Sequence, residues 1–207
     1  MTVCATPSTL ARAASPGIAP IGERLPRSFY ARSTLQVARD LLGKILVFSD
    51  SGAVRSARIV EVEAYLGARD PASHAYRGLT PRTAPMFGQP GRSYVYFVYG
   101  MYHCLNVVTE RDGVAGAVLL RGAEPLGGFD SADARALAGP GKLARAFGLT
   151  TAHTNLDLLR SPLAIHDAPP VPPSRVVRSA RVGLTQHSTT AKPWRLYVRG
   201  SPGVSRR

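Results

Sequence analysis

The chain contains few cysteines and no long uninterrupted apolar run. Two cysteines among 207 residues, Cys4 and Cys104, are too few for a disulfide framework, and no paired Cys or His spacing indicates zinc. Residues 93–109 are uncharged, but the run is shorter than the roughly 20 residues of a membrane helix. The N-terminus lacks a secretory apolar core because Arg12 and several prolines interrupt it. We therefore expect a soluble intracellular protein without a membrane partner, in the cytoplasm or nucleoid of a bacterium or in a eukaryotic nucleus.

Acidic residues are also scarce. The chain has 13 Asp and Glu residues against 26 Lys and Arg residues, which gives a net charge of +13. Only Lys44, Lys142 and Lys192 are lysines, and no acidic residue follows Asp167. Arginine suits forked contacts to phosphates and base edges. The composition predicts a polyanionic partner, above all nucleic acid, although a solubilising basic surface would have the same composition.

The length and the apolar pattern predict one folded domain. Residues 1–22 are rich in Ala, Ser, Thr and Pro without periodicity, which predicts a disordered N-terminal extension. Residues 23–207 are expected to form a compact, mixed α/β (α+β) single domain with mainly antiparallel strands and a protruding β-hairpin. The predicted strands are KILVFS, ARIVEVEAY, the hairpin YVYFVY and YHCLNVVT, AVLLRG, RVGLTQ and PWRLYVRGSP. Residues 150–174 are weakly patterned.

The segment STLQVARDLLGK predicts the first long helix. Ser33 and Gln36 form a capping-box pattern, and Gly43 is expected to end the helix. Its apolar face would comprise Leu35, Ala38, Leu41 and Leu42.

Alternation along ARIVEVEAY places two carboxylates on one face of a strand. Glu61, Glu63 and Tyr65 share that face, and the intervening apolar residues share the other. We expect the apolar face to enter the core and the polar face to line a cleft. A carboxylate in such a strand has either a partner or a chemical task.

Six motifs in order resemble the alkyladenine (3-methyladenine) DNA glycosylases. They are EVEAYLG with a following His, YVYFVYGMYHCLN, VLLRGAEPL, GPGKL, RVG and KPWRLYVRGSP, from about Leu25 to about Ser205. The resemblance implies the family's single mixed α/β domain and a monofunctional base-excision repair enzyme without AP-lyase activity. Its partner would be double-stranded DNA containing alkylated or deaminated purines, bound by a monomer, and neither a metal nor an organic cofactor is implied.

The resemblance implies a catalytic role for Glu63. A carboxylate near C1′ stabilises the sugar cation of glycosidic cleavage and can accept a proton from the attacking water. Arg121 would keep Glu63 ionised and orient that water, and the backbone carbonyl of Val182 would be the third water contact. For Glu61, the alternative to a catalytic role is a salt bridge or a solvated position on the strand. Without the resemblance, Arg121 would be an ordinary strand-end residue that binds phosphate.

The same resemblance implies a pocket for the flipped base. Tyr65, His74 and Tyr96 match the stacking residues, and Asn106 matches a side chain that crowds the floor and disfavours the exocyclic amine of guanine. Without the resemblance, the tyrosines would be core aromatics, His74 a loop residue, and Asn106 a strand residue bonded to backbone.

Two further groups would hold the DNA. Tyr99 matches the residue that intercalates through the minor groove, and Met86 is expected to support the same opening. Thr80, Arg82, Lys142 and the amides of GPG are expected to contact phosphates, although solvated loop positions would explain them equally.

The other function classes explain less of the sequence. A non-catalytic nucleic-acid-binding module would use the same basic surface and aromatic hairpin, but it has no use for a carboxylate that faces phosphates. A basic ribosome-associated protein would explain the charge and not the tyrosine-rich pattern.

Overall fold

The strands follow most of the predicted apolar runs. The structure is a computed structural model, which describes residues 22–131, 133–184 and 191–206. The predicted disordered extension lies outside the described residues, except Gly22. The strands are β1 (Ile45–Asp50), β2 (Ala53–Tyr65), β3 (Ser93–Val98), β4 (Tyr102–Val108), β5 (Ala117–Gly127), β6 (Leu163–His166), β7 (Val176–Ser179) and β8 (Arg195–Val198).

The described helices are few and short. They are the α-helices α1 (Arg27–Tyr30), α2 (Thr34–Leu41) and α3 (Pro140–Phe147), and 3₁₀ turns at Gly67–Arg69, His74–Arg77, Ala84–Phe87, Thr151–His153 and Pro173–Arg175. Within the described ranges, no helix is long and apolar enough to cross a membrane.

All the strands belong to one antiparallel sheet with β2 at its centre. The order is β3-β4-β5-β2-β1-β6, and β8 pairs with both β2 and β7. One edge of β2 pairs with β5, whereas the other edge pairs with β1 over its first half and with β8 at Glu61–Glu63. The mixed fold with antiparallel strands is confirmed. Strands β3 and β4 form the predicted hairpin, and its protrusion stays a prediction.

Helix α2 differs from its predicted cap and face. Ser33 precedes the helix, but its hydroxyl donates to Gln36 Oε1 at 2.8 Å and makes no capping bond to the backbone. The predicted capping box is therefore wrong. Leu35 is exposed and Val37 is buried in its place, because Val37 shares the face of Ala38 and Leu41 that packs on the sheet.

The structure differs from the sequence prediction at two places. RVGLTQ predicts a strand, but residues 181–184 are irregular and the rest of that motif lies outside the described part of the chain. The polar face of β2 was expected to line a cleft, yet Glu61 and Glu63 are fully buried. Burial of both faces follows from the segments that close over them, described below.

The core lies along β2 and β5. The main cluster includes Ile59, Val62 and Leu120 with Leu143 and Phe147 of α3. A second, smaller cluster contains Ala75, Met86, Tyr94, Val108, Ala115 and Ala117, with Tyr65, Phe87 and Tyr96 packed against it. This second cluster supports the tyrosines of the candidate site.

Candidate active site

A cavity of about 400 Å³ opens between the hairpin, the end of β2 and the segment around Val182. It contains eight of the twelve predicted site residues: Tyr65, His74, Met86, Tyr96, Tyr99, Asn106, Arg121 and Val182. The other lining residues are Ala72, Tyr94, Val98, Cys104, Leu119, Pro140, Gly183, Leu184 and Arg206. The predicted residues, which are far apart in the sequence, therefore meet at one concave surface.

Glu63 lies directly behind the cavity wall. Its Oε2 accepts a hydrogen bond from the Tyr65 hydroxyl at 2.9 Å, and its Oε1 accepts one from the Val182 backbone amide at 2.8 Å. Nη1 of Arg121 lies 3.4 Å from Oε1. Tyr65, Val182 and Arg121 all line the cavity, so the groups that bind the carboxylate also form part of the cavity wall.

Opposing effects set the protonation of Glu63. Burial raises the pKa of Glu63, and the charge of Glu61 acts in the same direction. Arg121, the Val182 amide and the Tyr65 hydroxyl lower that pKa but do not cancel the effect of burial. Burial and the nearby Glu63 charge also raise the pKa of Tyr65, so its hydroxyl stays protonated and donates. Glu63 is therefore a carboxylate of increased proton affinity.

An irregularity in the sheet aims Arg121 at the two carboxylates. Glu61 pairs with Gly122 and Val62 pairs with Leu120, so Arg121 has no partner in the register of β2. Such bulges redirect side chains and are common beside active sites. The side chain of Arg121 is buried between Glu61, 3.1 Å from Nε, and Glu63.

Glu61 makes the salt bridge that was the alternative to a catalytic role. It binds Arg121 and also Arg195 of β8, whose Nε lies 2.7 Å from Oε1. Ser205 donates to the same carboxylate from both its backbone amide and its hydroxyl. Neither Arg195 nor Ser205 was predicted as a partner of Glu61, because no local pattern links them to it.

The approach of the C-terminal segment to β5 requires glycine. A Cβ on Gly122 would overlap the carbonyl oxygen of Gly203. Because both positions are glycine, the backbone of residues 203–205 lies directly against the sheet and covers Glu61.

An aromatic group forms another wall of the cavity. The centroids of His74 and Tyr96 lie 4.6 Å apart in an edge-on arrangement, and Nδ1 of His74 is 3.2 Å from the Tyr94 hydroxyl. Burial, with Arg82 nearby, lowers the pKa of His74 and keeps the ring neutral. Tyr94 was not predicted as a site residue; its place two positions before Tyr96 puts it on the same strand face.

Asn106 is held by backbone carbonyls. Its Nδ2 donates to the oxygen of Tyr94 at 3.0 Å and to that of Cys104 at 3.4 Å. The residue is buried and contributes to the cavity lining. Asn106 therefore makes the ordinary backbone contacts of a strand residue and also lies at the pocket. Its predicted steric role stays a prediction. Cys104 is a buried free cysteine, as expected.

The hairpin turn exposes Tyr99. The side chain is 77% exposed, and the backbone φ is +55°, a conformation that non-glycine residues seldom adopt. Gly100 follows with φ +67°, and the Met101 amide closes the turn on the Val98 carbonyl. Met101 is 64% exposed at the same turn.

Met86 packs beneath the cavity. It is 2% exposed and belongs to the second cluster, and it contributes to the cavity lining. Its predicted role in supporting the opening of the duplex stays a prediction, and its burial would make that support indirect, through the cavity wall.

The predicted phosphate contacts lie outside the cavity. Thr80, Arg82 and Lys142 are exposed, and the Thr80 hydroxyl lies 3.0 Å from that of Thr83. The guanidinium carbon of Arg82 lies 6.0 Å from the centroid of Tyr96. Their exposure is compatible with phosphate binding, which stays a prediction.

A buried ion pair fixes the loop beside the cavity. Arg181 donates to both carboxylate oxygens of Asp70, at 2.6 and 2.7 Å, and to the carbonyl of Ala64. Its guanidinium also lies 4.5 Å from the centroid of Tyr65 and 5.1 Å from that of Trp194. The sequence analysis singled out neither member of the pair. Within the described residues, no group of three His, Cys, Asp or Glu could hold a metal ion.

Comparison with known proteins agrees with the resemblance found in the sequence. Residues 28–202 match the family described as Methylpurine-DNA glycosylase (MPG). A protein of Anaeromyxobacter dehalogenans (strain 2CP-1) is 52% identical over 88% of this chain and 86% of its own length. One of Myxococcus xanthus is 49% identical over 88% and 93%, and one of Methanocella arvoryzae is 45% identical over 88% and 96%. All three carry the name "Putative 3-methyladenine DNA glycosylase". The chain belongs to the methylpurine-DNA glycosylase family.

Proposed function

We propose that this protein is a monofunctional DNA glycosylase that acts as a monomer on double-stranded DNA. It flips alkylated or deaminated purines out of the duplex and hydrolyses the N-glycosidic bond with a water activated by Glu63, which starts base-excision repair. The observation that carries the proposal is a buried carboxylate, bound by Arg121, Tyr65 and Val182, directly behind an aromatic cavity.

The cavity suits a planar base. Its volume of about 400 Å³ lies within the range of ligand sites, roughly 300–1,000 Å³. Tyr65 and Tyr96 line it together with a neutral His74. Flipping a nucleotide costs a few kcal/mol, least where damage has weakened its pairing. Stacking on aromatic rings returns about 1–3 kcal/mol per base, and a cationic purine gains up to about 2 kcal/mol more. A lesion therefore flips near balance, whereas an intact pair flips at a loss.

Glu63 supplies the chemistry of the hydrolysis. As the glycosidic bond breaks, positive charge develops on the sugar, and a carboxylate stabilises that charge. The same carboxylate accepts a proton from the attacking water, for which its increased proton affinity is suitable. Arg121 lowers the pKa of Glu63, which favours its ionised form, and orients the water. The carbonyl of Val182 is the third contact of that water.

The remaining residues recognise the DNA. Tyr99 enters the gap left by the flipped nucleotide, and Asn106 excludes the exocyclic amine of guanine from the pocket floor. Thr80, Arg82 and Lys142 bind phosphates around the site, which fixes the register of the protein on the duplex.

Water is the nucleophile in this proposal, and strand cleavage does not follow. A lysine nucleophile would have to lie in the cavity, and no described lysine lines it. Lys44 is bound to Asp167 at 2.5 Å, and Lys142 and Lys192 are exposed.

The test is excision from duplexes that each carry one defined lesion. We expect strand cleavage after alkali, which reports base loss, and no cleavage without alkali. Glu63→Gln should keep lesion binding while excision falls about 100-fold or more, the scale of a lost general base. Glu124→Gln is the matched control, because Glu124 binds Ser201 at 2.6 Å and does not line the cavity. Unchanged turnover in Glu63→Gln would contradict the role of Glu63, and a protein that binds lesions but excises none would be a binding module.

A further inference from the structure

Glu61 is fully buried, and the protein itself fills its hydrogen-bonding capacity. Oε1 accepts from Nε of Arg121 at 3.1 Å, from Nε of Arg195 at 2.7 Å and from the Ser205 hydroxyl at 2.9 Å. Oε2 accepts from the Ser205 amide at 2.6 Å. Glu61 does not line the cavity. Any influence of Glu61 on a reaction there therefore passes through its partners.

The contacts of Glu61 determine where Arg121 points. Nε of Arg121 donates to Glu61, and Nη2 donates to the Ser205 hydroxyl at 3.2 Å. A guanidinium is planar and rigid, so two fixed nitrogens also fix the third. That third nitrogen, Nη1, is the one that lies 3.4 Å from Glu63.

Glu61 also divides the charge of the cluster. Two carboxylates and two guanidiniums, those of Glu61, Glu63, Arg121 and Arg195, are buried together. Arg195 is the register partner of Glu63 across β2 and β8, yet its Nε binds Glu61. Glu61 therefore binds Arg195 by itself and shares Arg121 with Glu63.

We propose that Glu61 is a positioning residue, which aims Arg121 at Glu63 and retains the charge of both arginines, and thereby limits how strongly they act on Glu63. This inference rests on the proposed function. It assigns the two carboxylates of β2 different tasks: Glu63 reacts with the substrate water, and Glu61 sets the surroundings in which Glu63 does so.

The groups that face Glu63 come from every element packed around it. They are Glu61 and Tyr65 on β2, Tyr96 on β3, Cys104 on β4, Arg121 on β5, Arg195 on β8 and the Val182 amide. Burial raises the pKa of both Tyr96 and Cys104, so these groups are neutral around pH 7. The charges that act on the Glu63 carboxyl are those of Glu61 and Arg121, and the charge of Arg195 is bound to Glu61.

The experiment measures single-turnover excision against pH for the wild type and Glu61→Gln. Glutamine keeps an oxygen for the donors but removes the charge. The pKa of Glu63 should fall in Glu61→Gln, because the charge of Glu61 raises it. The acid limb of the pH profile, where the excision rate falls as Glu63 is protonated, should therefore move about one pH unit lower. We also expect the plateau rate to fall about tenfold because Arg121 is aimed less accurately. A purely structural role would reduce the rate by the same factor at every pH.

Glu124→Gln is the matched control here as well. It removes one negative charge from a residue that binds the same C-terminal segment through Ser201, and Glu124 touches neither Arg121 nor Glu63. Its acid limb should coincide with that of the wild type. A shift equal to that of Glu61→Gln would mean that net charge alone moves the limb, which would overturn the inference.

A Ser205→Ala variant and an NMR titration test the role of Glu61 independently of Glu61→Gln activity. Ser205→Ala removes the hydroxyl contacts to Glu61 and Arg121 without changing charge, so the plateau should fall severalfold while the acid limb stays in place. An unchanged plateau would overturn the positioning role, even if Glu61→Gln does not fold. Carbon-13 NMR titration of the Glu63 carboxyl, in the wild type and in Glu61→Gln, measures the effect of Glu61 on the pKa of Glu63 without catalysis. A wild type that excises no base would refute the proposed function. An equal pKa of Glu63 in the wild type and in Glu61→Gln would refute only this inference.

Discussion

The backbone amide of Val182 donates a hydrogen bond of 2.8 Å to Oε1 of Glu63, across 119 residues of sequence. This bond fixes one oxygen of the carboxylate while the Tyr65 hydroxyl fixes the other at 2.9 Å. The family resemblance suggested Val182 for its carbonyl, and the structure adds a separate task for its amide. The amide and hydroxyl donors together hold the carboxylate in one orientation toward the cavity.

Tyr65→Phe should move the acid limb of excision toward higher pH. The Tyr65 hydroxyl lowers the pKa of Glu63, so its loss raises that pKa and Glu63 becomes protonated in less acidic solution. A hydrogen bond to a charged group is worth about 1.5–3 kcal/mol, so we expect a shift of about one to two pH units. The measurement is the pH dependence of single-turnover excision. Tyr76→Phe, on an exposed tyrosine, should leave the limb unchanged; a limb that stays in place in Tyr65→Phe would contradict the bond's role.

Tyr99→Gly should separate stability from activity. Tyr99 adopts φ +55°, and left-handed backbone costs a non-glycine residue about 1 kcal/mol. The free energy of unfolding should therefore stay level or rise slightly, while excision from duplex DNA slows more than excision from single strands. Denaturant unfolding and the two excision rates are the measurements. Equal slowing on both substrates would argue against an intercalating role, and Leu79→Gly, an exposed leucine in another loop, is the control.

Asn106→Ser should broaden the lesion spectrum. The shorter side chain leaves room at the pocket floor, so excision of guanine adducts should rise relative to that of adenine lesions. Loss of the bond to the Tyr94 carbonyl, 3.0 Å long, should lower the free energy of unfolding by about 1–3 kcal/mol. The ratio of rates on the two lesion classes is the measurement, because it does not depend on the folded fraction. An unchanged ratio would remove the steric role.

Asp70→Asn should destabilise the protein far more than Asp40→Asn. Asp70 and Arg181 form a pair with fully buried side chains, whereas the side chains of Asp40 and Arg32 are 42% and 36% exposed. Breaking a buried pair costs about 3–5 kcal/mol, and an exposed pair is worth about 0–1 kcal/mol. Urea unfolding of the two variants tests this difference. A similar decrease in the free energy of unfolding in both variants would show that the buried pair stabilises the protein no more than the exposed pair.

The strands were predictable where apolar alternation is long. Strands β1, β2, β5 and the β3–β4 hairpin follow it closely. Strands β6 and β7 have four residues each, too few for a periodic signal, and they form because β1 and β8 offer free edges. The RVGLTQ motif was apolar enough to predict a strand. Its Val182 amide binds the Glu63 side chain instead of a neighbouring strand.

The sequence predicted which residues belong to the candidate site, but not the hydrogen bonds and ion pairs that connect them. The motifs brought out Glu63, Arg121 and the tyrosines, since each has recognisable chemistry. They could not reveal that Glu61 is bound by Arg195 and Ser205, which are 134 and 144 residues away. The burial of Met86 was not predictable for a related reason, because a methionine in a loop motif gives no sign of how deeply it is buried.

The closing of residues 203–206 over Glu61 has a consequence for folding. Arg195 and Ser205 reach Glu61 across 134 and 144 residues of sequence. Contacts between residues so far apart form slowly, because a long loop must close before they are made. We therefore expect the charged cluster around Glu61 to be completed late in folding, after the neighbouring strands of the sheet have paired.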